Sequence, residues 1–343
     1  MFDDLIDVVP SHVVRPRLDH LLALMGDLGI FEHADHATPR RHLGYTTDDN
    51  ARALVVFGDA AVPGSTVGAA FERCLRMVIA GRVPGGWRNR LACNGRWVGR
   101  GSDDCAGRAL WGLGHASQRA PHPAWREMAA RAFVAGAGFR SPHVRASVFA
   151  VLGAVEVLSD PVTSRAGESL LATSAGALPL PRPGTWRWPE DRLTYANARL
   201  PEALIAAGEA LVSHSLLDAG LELLDWLVRW EEGTHGFSFT PVGGRGPADR
   251  RPGFDQQPIE AWAMADACAR ASKVTGEAQW GDRLTAAVAW LRGANDVGVP
   301  LYDPQTGAGH DGLTPWGVNR NQGAESTLSA VATLALLHPI EVR

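Results

Sequence analysis

The chain has 343 residues, of which 45% are hydrophobic and 20% charged, and 33 basic against 37 acidic side chains leave a net charge of -4. That is apolar material for one large core or two ordinary ones, with no basic footprint for nucleic acid or an anionic membrane, so neither is an expected partner. The sole lysine, Lys273, lies in no glycine-rich loop, which excludes P-loop phosphate binding and Schiff-base chemistry.

The chain opens on Met1-Phe2-Asp3-Asp4, acidic where a signal peptide is basic, and no apolar run approaches the ~18 residues of a membrane span. Cys74, Cys93, Cys105 and Cys268 are scattered without a C-x-x-C pair, so a reduced, cytoplasmic protein is expected. Helical periodicity then dominates. It predicts an amphipathic helix over 14–28 and further helices near 48–60, 66–81, 103–119, 123–138, 143–159, 162–174, 195–211, 213–231, 256–273, 277–293 and 322–337, with almost no strand.

Connection lengths alternate. Those leaving the segments at 48–60, 103–119, 195–211 and 256–273 are short, as in antiparallel helix pairs. Those leading into the segments at 48, 103, 195, 256 and 322 are long, polar and rich in Gly, Pro and Trp. This alternation places the long loops at one end of the assembly, where function usually sits. The expected fold is all-α, a single-domain (α/α)6 toroid over 1–343 with six inner and six outer helices and one small hairpin within 233–255. A faint repeat supports it: Asp48-x-x-x-Arg52-Ala-Leu recurs as Asp104-x-x-x-Arg108-Ala-Leu, and Asn50-Ala-Arg52 as Asn197-Ala-Arg199.

Polar clusters open the inner helices: Thr46 to Asn50, Ser102 to Asp104, Thr194 to Asn197, Asp255 to Glu260 and Asn319 to Glu325. Capping explains one small polar residue at each. It does not explain several, so the clusters point to a sugar-binding cleft. Asp48 and Asp49 lie four and three residues before Arg52, and that cation with the helix dipole predicts lowered carboxyl pKa values and an ionised base. Glu260, between Ile259 and Ala261-Trp262 with no cation within a turn, is the candidate acid, its pKa raised by desolvation; Glu325 is second choice for either role. Asp48, Asp49 and Glu260 are thus the candidate catalytic residues. A carboxyl pair from different helices favours inverting glycoside hydrolysis, with a separation of roughly 6.5 to 9.5 Å. Candidate substrate contacts are Arg52, Asp104, Trp188, Tyr195, Asn197, Gln257, Trp262, Asp311 and Glu325.

Trp87, Trp97, Trp186, Trp188 and Trp316 fall in long loops, where stacking on a ligand or wedging the loops in place is the better explanation than core filling. His42, His235 and His310 lack zinc-type spacing, and no metal or cofactor is expected. No nucleophile elbow or dinucleotide fingerprint follows a strand.

Thr47-Asp48-Asp49-Asn50-Ala51-Arg52-Ala53-Leu54 and the strings Gly101–Gly114, Leu193–Leu204, Phe254–Ala261 and Asn319–Thr327 resemble those of bacterial (α/α)6-barrel carbohydrate-active proteins. Within that group the chain is similar to the mycobacterial methylmannose polysaccharide hydrolases, endo-acting α-1,4-mannosidases, from about residue 40 to 337. The resemblance implies a cytoplasmic enzyme that cuts α-1,4-linked, partly methylated mannose chains, with catalytic carboxylates in the Asp48/Asp49 cluster and at Glu260. O-methyl groups would suit a Trp-rich cleft, since they add apolar contact area. Two other classes stay open: a sugar epimerase or isomerase on the same toroid, using His42, His235 or His310, and a carbohydrate-binding protein without chemistry.

Overall fold

A computed structural model describes residues 15–58 and 60–341. It contains twelve helices: α1 (Asp19–Ala23), α2 (Thr47–Gly58), α3 (Thr66–Ala80), α4 (Asp103–Arg119), α5 (Pro123–Gly136), α6 (Val144–Glu156), α7 (Ser164–Ala175), α8 (Arg199–Ala210), α9 (His214–Glu231), α10 (Pro258–Thr275), α11 (Ala278–Leu291) and α12 (Ala324–Ala335). Helices α2, α4, α6, α8, α10 and α12 each pack on the next, and α12 returns to α2 to close an inner ring. Outside it, α3, α5, α7, α9 and α11 each pack on the inner helix preceding them, and α1 lies against α12. The chain is an (α/α)6 toroid, as the alternation of connections predicts.

Side-chain pattern separates the two rings. The outer helix α3 buries Val67, Ala70, Phe71, Cys74, Leu75 and Val78, a one-sided stripe at three- and four-residue spacing, and Ser65 caps it by accepting the Gly68 N–H at 3.0 Å. The inner helix α6 is buried on every side from Arg145 to Ala154. Small residues let the inner helices approach. A Cβ at Gly107 of α4 would sit 2.4 Å from the Ala146 carbonyl oxygen of α6, and one at Gly112 would sit 2.5 Å from that of Ala51 in α2. Each glycine costs about 1 kcal/mol of helix propensity, offset here by helix contacts that no other residue permits.

Two expectations change. The helix expected over 14–28 is confined to Asp19–Ala23; residue 14 lies outside the described residues. The chain then turns, with Met25 bridging to Ile30 and Phe31 to Tyr45, and Asn50 Oδ1 accepts the Ile30 N–H at 3.0 Å. Tertiary pairing with the start of α2 outweighs the local apolar period, and Gly29, at φ +157°, allows the turn. The helix expected from 195 starts at Arg199, because residues 194–198 are held in an irregular turn described below.

The long loops also carry more strand than expected. Antiparallel pairs of two or three residues occur at 34–39, 82–87, 302–309 and 312–319, and a three-stranded piece joins 45–46, 90–91 and 97–98. The hairpin anticipated within 233–255 pairs 232–233 with 236–237. All four cysteines are free, and among the described residues no helix is long and apolar enough to cross a membrane.

Candidate active site

The long loops and the N-terminal ends of the inner helices enclose a cavity of about 520 Å³. Helix α2 contributes Asp48, Asp49 and Arg52, α4 Arg108, the turn before α8 Tyr195, the start of α10 Gln257 and Ile259, and α12 Glu325. Loops add Glu32, His33, Val242, Asp255, Asp311 and Asn319. A larger cavity, about 780 Å³, opens at the opposite mouth, where it is lined by all six inner helices and reaches up to Arg199 and Glu202 in the first turn of α8 and to Trp262 of α10. The site is placed in the smaller one, where six carboxyl groups and the positive ends of the inner helices converge.

Asp48 and Asp49 project from one helical turn toward different neighbours. Asp48 Oδ1 lies 3.3 Å from Arg108 Nη1 of α4, and its Oδ2 accepts a bond from Asn89 Nδ2 at 2.8 Å. Asp49 is buried; it accepts bonds from Thr46 Oγ1 at 2.6 Å and from Arg52 Nη1 at 2.7 Å. Burial pushes its carboxyl up to about 7, against the opposing pull of Arg52 and with a further upward push from Glu325. This corrects the sequence expectation of a lowered value for Asp49. Spacing shows the cation but not the loss of water, and desolvation is the larger effect here.

Arg52 reaches Glu325 Oε2 with Nη2 at 2.5 Å, so one guanidinium joins α2 to α12 across the cavity floor. Asp104 pairs with Arg108 and Tyr195 but stands behind them rather than in the cavity wall. Asp311, which accepts the Gly323 N–H at 2.8 Å, and Gln257 line the cavity as expected.

Glu260 is placed differently. Its raised carboxyl pKa, about 8, agrees with the expectation, burial being the main cause and Glu231 the second. The side chain, however, is turned from the cavity into the wall. It accepts the N–H of Ala196 at 2.5 Å, the N–H of Asn197 at 3.1 Å and Asn197 Nδ2 at 3.2 Å. Asn197, expected to touch substrate, is fully buried and spends its Oδ1 on the Thr194 N–H and Arg145 Nη2, at 2.9 and 3.2 Å. Together these bonds hold the turn that presents Tyr195 and delays the start of α8.

For the tryptophans, stacking in this cavity drops out of the two expected roles. None lines this cavity. Trp188 is fully buried, its ring 5.5 Å from the Arg145 guanidinium and its N–H 3.2 Å from Glu190 Oε2. Trp262 faces the opposite mouth, where it and Trp111 flank Arg199 at 5.0 and 4.9 Å. Trp87 is buried and donates to the Val78 carbonyl, and Trp186 packs edge-on against Trp226 and Trp230. These loop tryptophans wedge the loops onto the helices, and the apolar rationale for methylated sugars goes with them.

Other residues emerge only from the structure. Arg145, a lone cation in the apolar run of α6, is buried against Tyr195, Thr194 and Asn197. Its isolation in that run was the available signal. Glu32, His33 and Asn89 come from loops that carry no helical register, so nothing in the sequence brings them to α2. Of the three expected histidines, His42 and His235 are exposed, and His310 is half-buried outside the cavity wall. Among the described residues no His, Cys, Asp and Glu group is arranged to hold a metal ion.

The fold and site therefore define an (α/α)6 toroid with a carboxylate-lined cavity at its long-loop mouth. No protein-family model matches the sequence, and no curated protein does. Solved structures match in fold. A sugar epimerase from a ruminal bacterium has a TM-score of 0.68 at 9% identity, over 94% of this chain and 96% of that one. A D-mannose isomerase has 0.66 at 10%, over 92% and 93%. A GH76 α-mannanase from Bacteroides thetaiotaomicron has 0.63 at 12%, over 92% of each chain. Identities this low establish the shared architecture.

Proposed function

We propose that the protein is a glycoside hydrolase acting on α-1,4-linked mannose or methylmannose chains, with general acid and base drawn from the α2 carboxyl pair. The observation that carries the reading is the pairing of two environments in one turn. Asp49 is buried beside Arg52, and burial pushes its carboxyl up to about 7, whereas Asp48 accepts bonds from Arg108 and Asn89. Separated environments of this kind divide acid from base in glycoside hydrolysis. Asp49 donates its proton to the glycosidic oxygen as the bond to the anomeric carbon breaks. Asp48 takes a proton from the water that adds to that carbon. The choice of mannose and of the α-1,4 linkage rests on the sequence resemblance, and a mannan-degrading enzyme on the same fold is consistent with it.

In this reading Glu260 is a positioning residue. It fixes the Tyr195 turn, and Tyr195, Gln257, Asp311 and Glu325 contact the sugar.

A second reading, epimerisation or isomerisation, is favoured by His33, which lines the cavity with Nε2 3.4 Å from Glu32 Oε1, and by epimerases sharing the fold. Incubation with α-1,4-oligomannosides separates the readings. Shorter products by mass spectrometry support hydrolysis, unchanged mass with new anomeric or C2 signals by NMR supports epimerisation, and binding without product leaves a carbohydrate-binding protein.

A further inference from the structure

Trp316 stands apart from the other tryptophans. It is 94% exposed, whereas the remaining eleven of the chain are buried or half-buried. Single exposed apolar residues are ordinary on a protein surface, but the largest apolar side chain laid fully in water is not. Its backbone is tied down by the turn. Trp316 occupies the turn of the hairpin pairing Gly312–Thr314 with Gly317–Asn319. Thr314 Oγ1 accepts the Trp316 N–H at 3.3 Å and donates to the Gly317 carbonyl at 3.1 Å, and Pro315 fixes the preceding backbone angle.

The hairpin is continuous with the cavity wall. Leu313 exchanges both backbone bonds with Gln256, at 3.1 and 2.7 Å, and the Val242 N–H donates to the Asp255 carbonyl at 2.8 Å. Val242, Asp255 and Asn319 line the cavity. At about 3.3 Å per residue, the tip carrying Trp316 stands about 10 Å along the strand from Asn319, beyond the enclosed space. Val242, 64% exposed, lies on the wall from which the hairpin extends.

We infer that Trp316 is an outlying sugar-stacking platform for a glycan chain too long for the cavity. The inference rests on the proposed carbohydrate substrate and adds that the chain continues past the cavity over the hairpin, as an enzyme cutting inside a polymer requires. A flat indole on a hydrogen-bonded turn offers a sugar face a large apolar area, with only its two side-chain torsions left to order.

Two arms test it. In the first, Trp316→Ala and Trp316→Phe are assayed on α-1,4-oligomannosides of two to about ten units. The Ala variant is expected to raise KM about tenfold for the longest chains, with kcat unchanged, to leave the shortest unaffected, and to be rescued largely by Phe; a tenfold change is about 1.4 kcal/mol. In the second, Asp49→Asn and the double variant Asp49→Asn/Trp316→Ala are titrated with the same sugars by calorimetry, without turnover. Length-dependent weakening in the double variant supports the platform even if no hydrolysis is ever seen. Equal affinity with and without Trp316 at every length overturns it even if the protein hydrolyses the chains. Loss of a dimer in Trp316→Ala by sedimentation, with sugar affinity unchanged, would also overturn it and assign the tip to self-association.

Discussion

Arg52 holds two carboxyl groups from different helices on its two terminal nitrogens, Asp49 Oδ1 at 2.7 Å and Glu325 Oε2 at 2.5 Å. The guanidinium lies in the floor of the candidate site, where it opposes the rise that burial imposes on Asp49. Arg52→Gln removes that opposition. The pKa of Asp49 is then expected to move further up and the alkaline limb of activity with it, and the broken buried pair costs about 3 kcal/mol of stability. Urea denaturation and a pH–rate profile of the same variant check both parts.

With Asp49 as acid, kcat/KM falls as pH rises through about 7, because deprotonation removes the proton to be donated. A limb displaced to about 8 instead would match Glu260. The pH dependence of initial rates on a soluble oligosaccharide distinguishes the two.

Stability carries the same signature. Asp49 and Glu260 have folded-state values of about 7 and about 8, above their unfolded values of about 3.9 and 4.3. The folded state therefore binds more protons between those limits. Their contribution is fully present below the unfolded values and is lost as pH rises through the folded ones. The urea midpoint is expected to be lower at pH 8.5 than at pH 5.5, and Glu260→Gln is expected to shrink the difference.

As a positioning residue, Glu260 acts through the Tyr195 turn. Glu260→Gln is expected to raise KM more than it lowers kcat, since the amide replaces an acceptor facing three donors. Loss confined to kcat, as large as that of Asp49→Asn, would move Glu260 into the chemistry.

Trp188 is structural. Trp188→Ala is expected to cost about 3 to 5 kcal/mol with KM of the folded fraction unchanged, measured by chemical denaturation alongside kinetics.

The sequence carried the toroid because its signals are local and repeated. Helical periodicity and alternating connection lengths need no knowledge of partners, and Asp48, Asp49, Arg52 and Glu325 meet because each opens an inner helix. Orientation within the first turn was not legible. Glu260 and Gln257 belong to the same helix start, yet only Gln257 faces the cavity, since the 194–197 turn supplies donors that capture Glu260. The tryptophans misled for a related reason: loop position in sequence does not imply exposure, and Trp188 and Trp87 are buried by neighbours far along the chain. The shortening of the first helix was equally hidden, because the Asn50 contact with Ile30 that favours a turn is tertiary.

Asp49 as the general acid is tested most directly by the turnover of α-1,4-oligomannosides by Asp49→Asn, followed by mass spectrometry at neutral pH. The unaltered protein is expected to release shorter products, and the variant to lose about 10²- to 10⁴-fold in rate with folding retained. Cleavage by Asp49→Asn at the unaltered rate would contradict that role.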